Sequence, residues 1–370
     1  MKKIILSIFC IIALLLFIQY STKSPESIKI GFIAGLSGKY SSLGNDVKNG
    51  VLLAFDEINY KISDTKIELI QKDDKQNKEE AQKVVKELIL DDVKVILGNT
   101  TSSMTKVSLN SLKNISETTL ISATASSNEF SHKNDNFIRT QVANNYMKFN
   151  AISKYMVAKK YKNVLSIYDP NNASYSNGFM KNFQKSLLHN GGNELVDKVQ
   201  ITNSYESIKD KINSQEIDTI VIIANSIDSA KLIQYLRLKG VDKPILCSGW
   251  TKSLDFIEEG GSSVENVLFT TGYDDNSKTK EYLKFVKHYE EKYNKKPSVF
   301  SAQAYETASI LIETLKKDLD VSNLKSNILT KKDFKGLQGN IVFNEYGDVN
   351  RDYFLMSVKD GKYERVNFNE

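Results

Sequence analysis

Between Ser27 and Trp250, short apolar runs alternate almost without a break with longer stretches whose apolar residues recur every three or four positions. "SIKIGFIA", "KIELIQKDD", "VKVILG", "TTLISATAS", "NVLSIYD", "NELVDKVQI", "DTIVIIA" and "PILCSGW" read as strands. Between them, "NKEEAQKVVKELILDD", "SSMTKVSLNSLKN", "NYMKFNAISKYMVAKK", "SYSNGFMKNFQKSLLHNG", "YESIKDKINS" and "IDSAKLIQYLRLKG" read as helices. A further helix from Ser41 to Tyr60 carries Val47, Val51, Ala54, Phe55 and Ile58 on one face. Strands separated by helices of this length form parallel sheets covered on both faces. After Thr271 come two long helices, Ser277 to Tyr293 and Val299 to Lys317, and then the β-like pieces "GNIVFNEYGDV" and "YFLMSVKDGKYERV". There are too many strands for one comfortable doubly wound sheet. The expectation is an α/β chain with two lobes, the early strands in one and those from about Asn163 in the other. Sheets of this kind bind ligands outside the carboxyl ends of their strands, so two such edges facing each other make a cleft.

Composition narrows the chemistry. The net charge is +5, but 50 basic and 45 acidic residues are interspersed without a long basic block, which argues against nucleic acid as a partner. The three histidines (His132, His189, His288) are scattered, and no His/Cys spacing resembles a zinc site, so no metal or cofactor is expected. With Cys10 set aside, Cys247 stands alone and no internal disulfide is possible. The first residues differ in kind. "MKK" precedes a near-continuous apolar run from Ile4 to Ile18, with the form of an export signal. The run is short for a membrane span, and no small-residue cleavage pattern follows it. An exported protein is expected, with segment 1–24 either removed or kept as a membrane anchor.

The loops after the strands hold the candidate site. "GLSGKY" fails as a nucleotide-phosphate loop, because Ile33 and Tyr40 stand where that motif needs a glycine and a hydroxyl residue. Two hydroxyl-rich loops are better candidates. "GNTTSSMT" puts Ser102 and Ser103 at a helix start, and "SATASSNEF" puts Thr124, Ala125 and Ser126 just beyond a strand. A carboxylate can accept hydrogen bonds from such hydroxyls and from free helix-terminal N–H groups, each worth about 1.5–3 kcal/mol. Either loop alone reads first as a helix cap; the two together on adjacent strands favour a binding site. No nucleophile elbow or histidine at a strand end supplies catalysis, and the acidic pairs Asp73-Asp74, Asp91-Asp92 and Asp274-Asp275 read as turns or caps.

From about Ile28 onward these segments resemble, in order, the bacterial extracellular solute-binding proteins of the leucine/isoleucine/valine-binding family. The resemblance rests on "IKIGFIAGLSGKYSSLGNDVKNGVLLAFDEIN", "IELIQKDDKQNKEEAQKVVKELI", "ILGNTTSSMTKV", "LISATASSNEF", "FIRT" and "FSAQAYETASILIETL". It implies a type I periplasmic-binding fold of two Rossmann-like lobes joined by three hinge strands. Residues 28–143 and 272–335 would form lobe I, and 144–271 with 336–370 lobe II. It also implies a non-enzymatic role: capture of a small carboxylate-bearing solute, an amino acid or related compound, for an ABC permease. Carried over by position, Ser102 and Ser126 would bind the carboxylate through hydroxyl and N–H, and Thr124 would offer its carbonyl. Tyr175 would close from the second lobe, with Asn225 and Phe300 where the family often places aromatic residues. The chain departs from the amino-acid binders where they hold the ligand's ammonium with an acid, since Gly249 or Trp250 falls there and Asn144 replaces another acid. A buried ammonium without a carboxylate partner is costly. The ligand therefore either lacks an α-ammonium or meets Trp250 through a cation–π contact; Trp250 as a packing residue is the alternative. A membrane-anchored sensor domain and a secreted hydrolase remain the competing functions.

Overall fold

The parallel pairing expected from the alternation is present in the computed structural model of the protein, which describes residues 27–115 and 117–366. The candidate signal or anchor at 1–24 lies outside the described residues. Strands β1 (Ile28–Ala34), β2 (Lys61–Ile62), β3 (Thr65–Asp73), β4 (Val95–Leu97), β5 (Thr119–Ser122) and β6 (Phe137–Arg139) form a six-stranded sheet in the order β2-β3-β1-β4-β5-β6. Every pairing in it is parallel except the short β2–β3 contact. Strands β7 (Val164–Tyr168), β8 (Leu195–Gln200), β9 (Thr219–Ile223), β10 (Ile245–Cys247) and β11 (Leu268–Thr271) begin a second sheet. A separate three-stranded sheet follows: β12 (Asp333–Gly336), β13 (Gly339–Phe343) and β14 (Val349–Asn350). The chain then returns to the second sheet as β15 (Phe354–Lys359), antiparallel to β11, and β16 (Lys362–Arg365), completing the order β16-β15-β11-β10-β9-β7-β8.

Burial explains why these sequences make central strands. All five residues of β9 are buried, as both-face coverage demands. On one face of the first sheet Ile33, Ile96 and Leu120 pack with Val84, Val85 and Leu88 of the helix Lys78–Leu90. The opposite face packs on the helices Ser41–Asp56 and Val299–Leu315, which approach closely: a Cβ at Gly50 would overlap the Ser301 carbonyl oxygen.

Some boundaries moved for local reasons. The first helix stops at Asp56 rather than Tyr60, since Asn59 and Tyr60 both take a left-handed φ of 50°. The run after Asn145 starts as a 3₁₀ turn, Tyr146–Phe149, before the helix Asn150–Ala158. "YFLMSVKDGKYERV" is a hairpin whose Asp360-Gly361 turn has positive φ at both residues, 50° and 67°. Strand β11, the helices Leu254–Gly260 and Leu324–Lys331, and β12 were not anticipated. The third sheet spans residues 333–350, on both sides of position 335, where the sequence reading places a change of lobe. Among the described residues no helix is long and apolar enough to cross a membrane.

Strand order fixes where a site can form. In the first sheet β1 lies between β3 and β4, and in the second β7 lies between β8 and β9. The loops leaving β1 and β4, and those leaving β7 and β9, therefore run to opposite sides of their sheets and open a crevice between them.

Candidate functional site

The loop after β4 enters the helix Ser102–Leu112, and the cap of that helix is Thr101, whose hydroxyl accepts the Met104 N–H at 3.4 Å. That relieves Ser102 of capping. Its hydroxyl oxygen instead accepts the N–H groups of Ser126 (3.2 Å) and Ser127 (3.1 Å), joining the two hydroxyl loops. Thr124 donates its hydroxyl to the Thr100 carbonyl at 2.7 Å, and Ser122 donates to the Asn99 carbonyl at 2.9 Å. The paired aspartates support the neighbouring turns. Partial burial works against ionisation of Asp73, but the Ser37 hydroxyl and the Leu36 and Lys75 amides hold its carboxyl below the usual range. Asp74 is fully buried and accepts from Asn99 at 2.8 Å; burial pushes its carboxyl up.

These loops form one wall of a cavity with about 550 Å³ of empty space, part of it open to solvent. Ser102, Thr124, Ser126, Tyr175, Trp250 and Phe300 all line it. The aromatic wall is ordered by ring contacts: Trp250 stacks on Tyr40 (centroids 6.1 Å, interplanar angle 11°) and meets Tyr175 edge-on at 5.8 Å. The indole Nε1 is buried with no hydrogen-bond partner among the described residues. Burial raises the Tyr175 hydroxyl to about 12, so it remains a donor at neutral pH.

Three predicted residues stand apart from this cavity. Ser103 bridges the two halves: its N–H donates to Asn172 Oδ1 at 3.1 Å and its hydroxyl accepts the Ser174 N–H at 3.3 Å. Ala125 is fully buried, its N–H bound to the Ser122 hydroxyl at 3.1 Å. Asn225 caps the helix Ser226–Leu238, accepting the Asp228 N–H at 3.0 Å, and lines a neighbouring crevice with Tyr40 and Trp250.

The lining also holds residues that the sequence reading missed: Gln141, Lys148, Gln303 and Tyr353. Lys148 belongs to the 3₁₀ turn Tyr146–Phe149 and is only 9% exposed. Its ammonium donates to Asn144 Oδ1 at 2.9 Å and lies 4.8 Å from the centre of the Tyr353 ring. Burial, with the positive charge of Arg139 adding to it, pulls the Lys148 ammonium down to about 7. A signal was present. Lys148, Ile152 and Met156 fall four residues apart, and the latter two are 1% exposed, so the lysine continues a buried stripe.

Contacts between segments that follow strands of the two sheets bridge the halves beside the cavity. Tyr40 donates to Asp169 Oδ2 at 2.7 Å, Lys39 pairs with Asp228 at 2.5 Å, and Ser42 bonds Asp255.

A twin-sheet α/β architecture with a small-molecule cavity at the facing strand ends defines a solute-binding class. The sequence pattern of the periplasmic binding protein family matches residues 27–362, and the chain belongs to that family of exported binding proteins. It is 21% identical over 348 residues to the Leu/Ile/Val-binding protein BraC3 of Rhizobium johnstonii, covering 92% of this chain and 93% of that one. Among solved structures it resembles the branched-chain amino acid transporter substrate-binding protein LivJ of Streptococcus pneumoniae in complex with isoleucine. There the identity is 26% and the TM-score 0.82, with 92% of this chain and 99% of that chain covered. An R. palustris ABC-transporter solute-binding protein in complex with benzoate gives 19% identity and a TM-score of 0.84, covering 92% of this chain and 95% of that chain. The expected α/β type I periplasmic-binding fold and solute-binding role are thereby established.

Proposed function

We propose that this protein captures a small carboxylate-bearing solute between its two lobes outside the cytoplasmic membrane and delivers it to an ABC permease. The observation that carries the reading is the cavity itself. Hydroxyl loops from the first sheet face Tyr175 and Trp250 from the second, and direct hydrogen bonds between loops of both sheets bridge the halves beside the space. Ser102, Thr124 and Ser126 are assigned to the carboxylate, and Tyr175, Trp250 and Phe300 to the body of the ligand. The relatives' ligands, isoleucine in one and benzoate in another, share a carboxylate, in line with this assignment. Lobe limits at 28–143 with 272–335 and at 144–271 with 336–370 belong to the same proposal, as does an N-terminal segment that is cleaved or kept as an anchor.

Native mass spectrometry of the protein purified without denaturation tests the reading. A small acid should be carried by the protein and released unchanged on unfolding. Conversion of added solute would identify a hydrolase instead, and a protein that takes up no small solute would refute capture.

A further inference from the structure

We infer that the solute is an organic acid without an ammonium group, and that Lys148 supplies the charge opposite its acid group. This deepens the carboxylate-binding reading and rests on it. A zwitterionic amino acid needs both an anion site and a cation site. The cavity lining contains hydroxyls, amides and aromatic rings but no aspartate or glutamate, and its charged member is a lysine. Lys148 forms no ion pair with a carboxylate among the described residues; its ammonium has the Asn144 side-chain Oδ1 and the faces of Tyr353 and Phe149, 4.8 and 5.9 Å away. The charge acting on it is that of Arg139, which is itself neutralised by Asp348 at 2.7 Å. A buried ammonium so placed gains from an anion entering the cavity and is repelled by a second ammonium. The cation–π alternative for an α-ammonium at Trp250 is weakened by geometry, because Tyr40 already lies nearly parallel to that ring. The Trp250 Nε1–H, without a partner among the described residues, is a further donor on a residue that lines the cavity, suited to acid or carbonyl oxygens and not to an ammonium.

The test uses matched pairs of L-leucine with 4-methyl-2-oxopentanoate, L-phenylalanine with 3-phenylpropanoate, and L-glutamate with glutarate. Binding is followed by calorimetry and by the fluorescence of Trp250, the chain's single tryptophan. In at least one pair the deaminated acid should bind at 1 mM or below and more tightly than its amino acid. Lys148→Met, checked for folding by its melting curve, should weaken that acid by at least about tenfold. Because an anion favours protonated Lys148, wild-type affinity should be highest below pH 7. It should fall by up to about tenfold per pH unit above it, while the variant stays flat. Tighter binding of the amino acid in every pair that binds would overturn the role of Lys148 and leave solute capture standing. Unchanged affinity in a folded Lys148→Met variant would do the same. If no member of the panel binds the folded wild-type protein, this inference fails, while solute capture stands or falls on the mass-spectrometric test.

Discussion

Removing one hydroxyl, Tyr40→Phe, should weaken ligand binding while hardly changing the stability of the ligand-free protein. Tyr40 precedes the first helix of the first sheet, and its hydroxyl donates to Asp169 Oδ2, at the end of β7 in the second sheet, over 2.7 Å in a buried setting. Burial, reinforced by the Asp169 charge, raises the Tyr40 hydroxyl well above its ordinary range, so it stays a donor at any working pH. The other carboxylate oxygen of Asp169 is taken by the Asn171 N–H at 2.9 Å, so loss of the tyrosine leaves Oδ2 without this donor. A hydrogen bond to a charged group contributes about 1.5–3 kcal/mol. When the lobes part, water can reach both groups and the bond is replaced, so its value belongs to the closed form alone. A ligand that binds the closed form then shows an affinity lowered by the whole difference, about 10- to 150-fold. The Lys39–Asp228 pair is the control. Its side chains are 41% and 19% exposed, so Lys39→Ala should cost at most about 1 kcal/mol, or roughly fivefold. Trp250 fluorescence titrations give the affinities, and small-angle scattering with and without ligand gives the degree of closure. If Tyr40→Phe binds within twofold of wild type, the Tyr40–Asp169 bond is not part of the closing energy and the argument is wrong.

Arg139 is fully buried and gives three hydrogen bonds, to Asp348 Oδ1 (2.7 Å), the Ser127 carbonyl (2.6 Å) and the Ser131 hydroxyl (2.6 Å). Arg139→Ala should therefore lower unfolding stability in urea by about 3–5 kcal/mol, since Asp348 is left without its partner. Gly50→Ala forces a Cβ onto the Ser301 carbonyl and against Ala304, and should cost about 1–3 kcal/mol in the same assay. The ligand-free protein should also show the signature of Lys148 in its pH profile. Its folded value of about 7 lies below the ordinary 10.5, so the unfolded chain binds more protons between those pH values and stability rises with pH across that window. The gain, up to roughly 1.4 kcal/mol per pH unit, should vanish in Lys148→Met, measured as the difference between the two urea profiles.

The alternating pattern made both large sheets legible because strands covered on both faces are largely apolar on both, as Ile220, Val221, Ile222 and Ile223 of β9 are. Parts that depend on contacts distant in sequence were not. Strand β12 reads "DFKG", polar at alternate positions, and is a strand because β13 pairs with it. The site divides along the same line. Ser102 and Ser126 could be singled out because hydroxyl residues after strands are a local signal, yet sequence alone left Ser102 as a cap or a ligand group. The structure gives the capping to Thr101 and turns the Ser102 oxygen toward the second loop. Asn225 shows the reverse: the alignment offered a cavity residue, and the helix that starts at Ser226 uses it as a cap. Lys148 was passed over because a lysine in a helical stretch is ordinarily solvated. What makes it part of the cavity is Tyr353, far along the chain, roofing its ammonium, together with the missing acid that would otherwise pair with it. An unpaired charge is a property of everything around a residue. In this chain that property separates an acid-binding cavity from a zwitterion-binding one on the same fold.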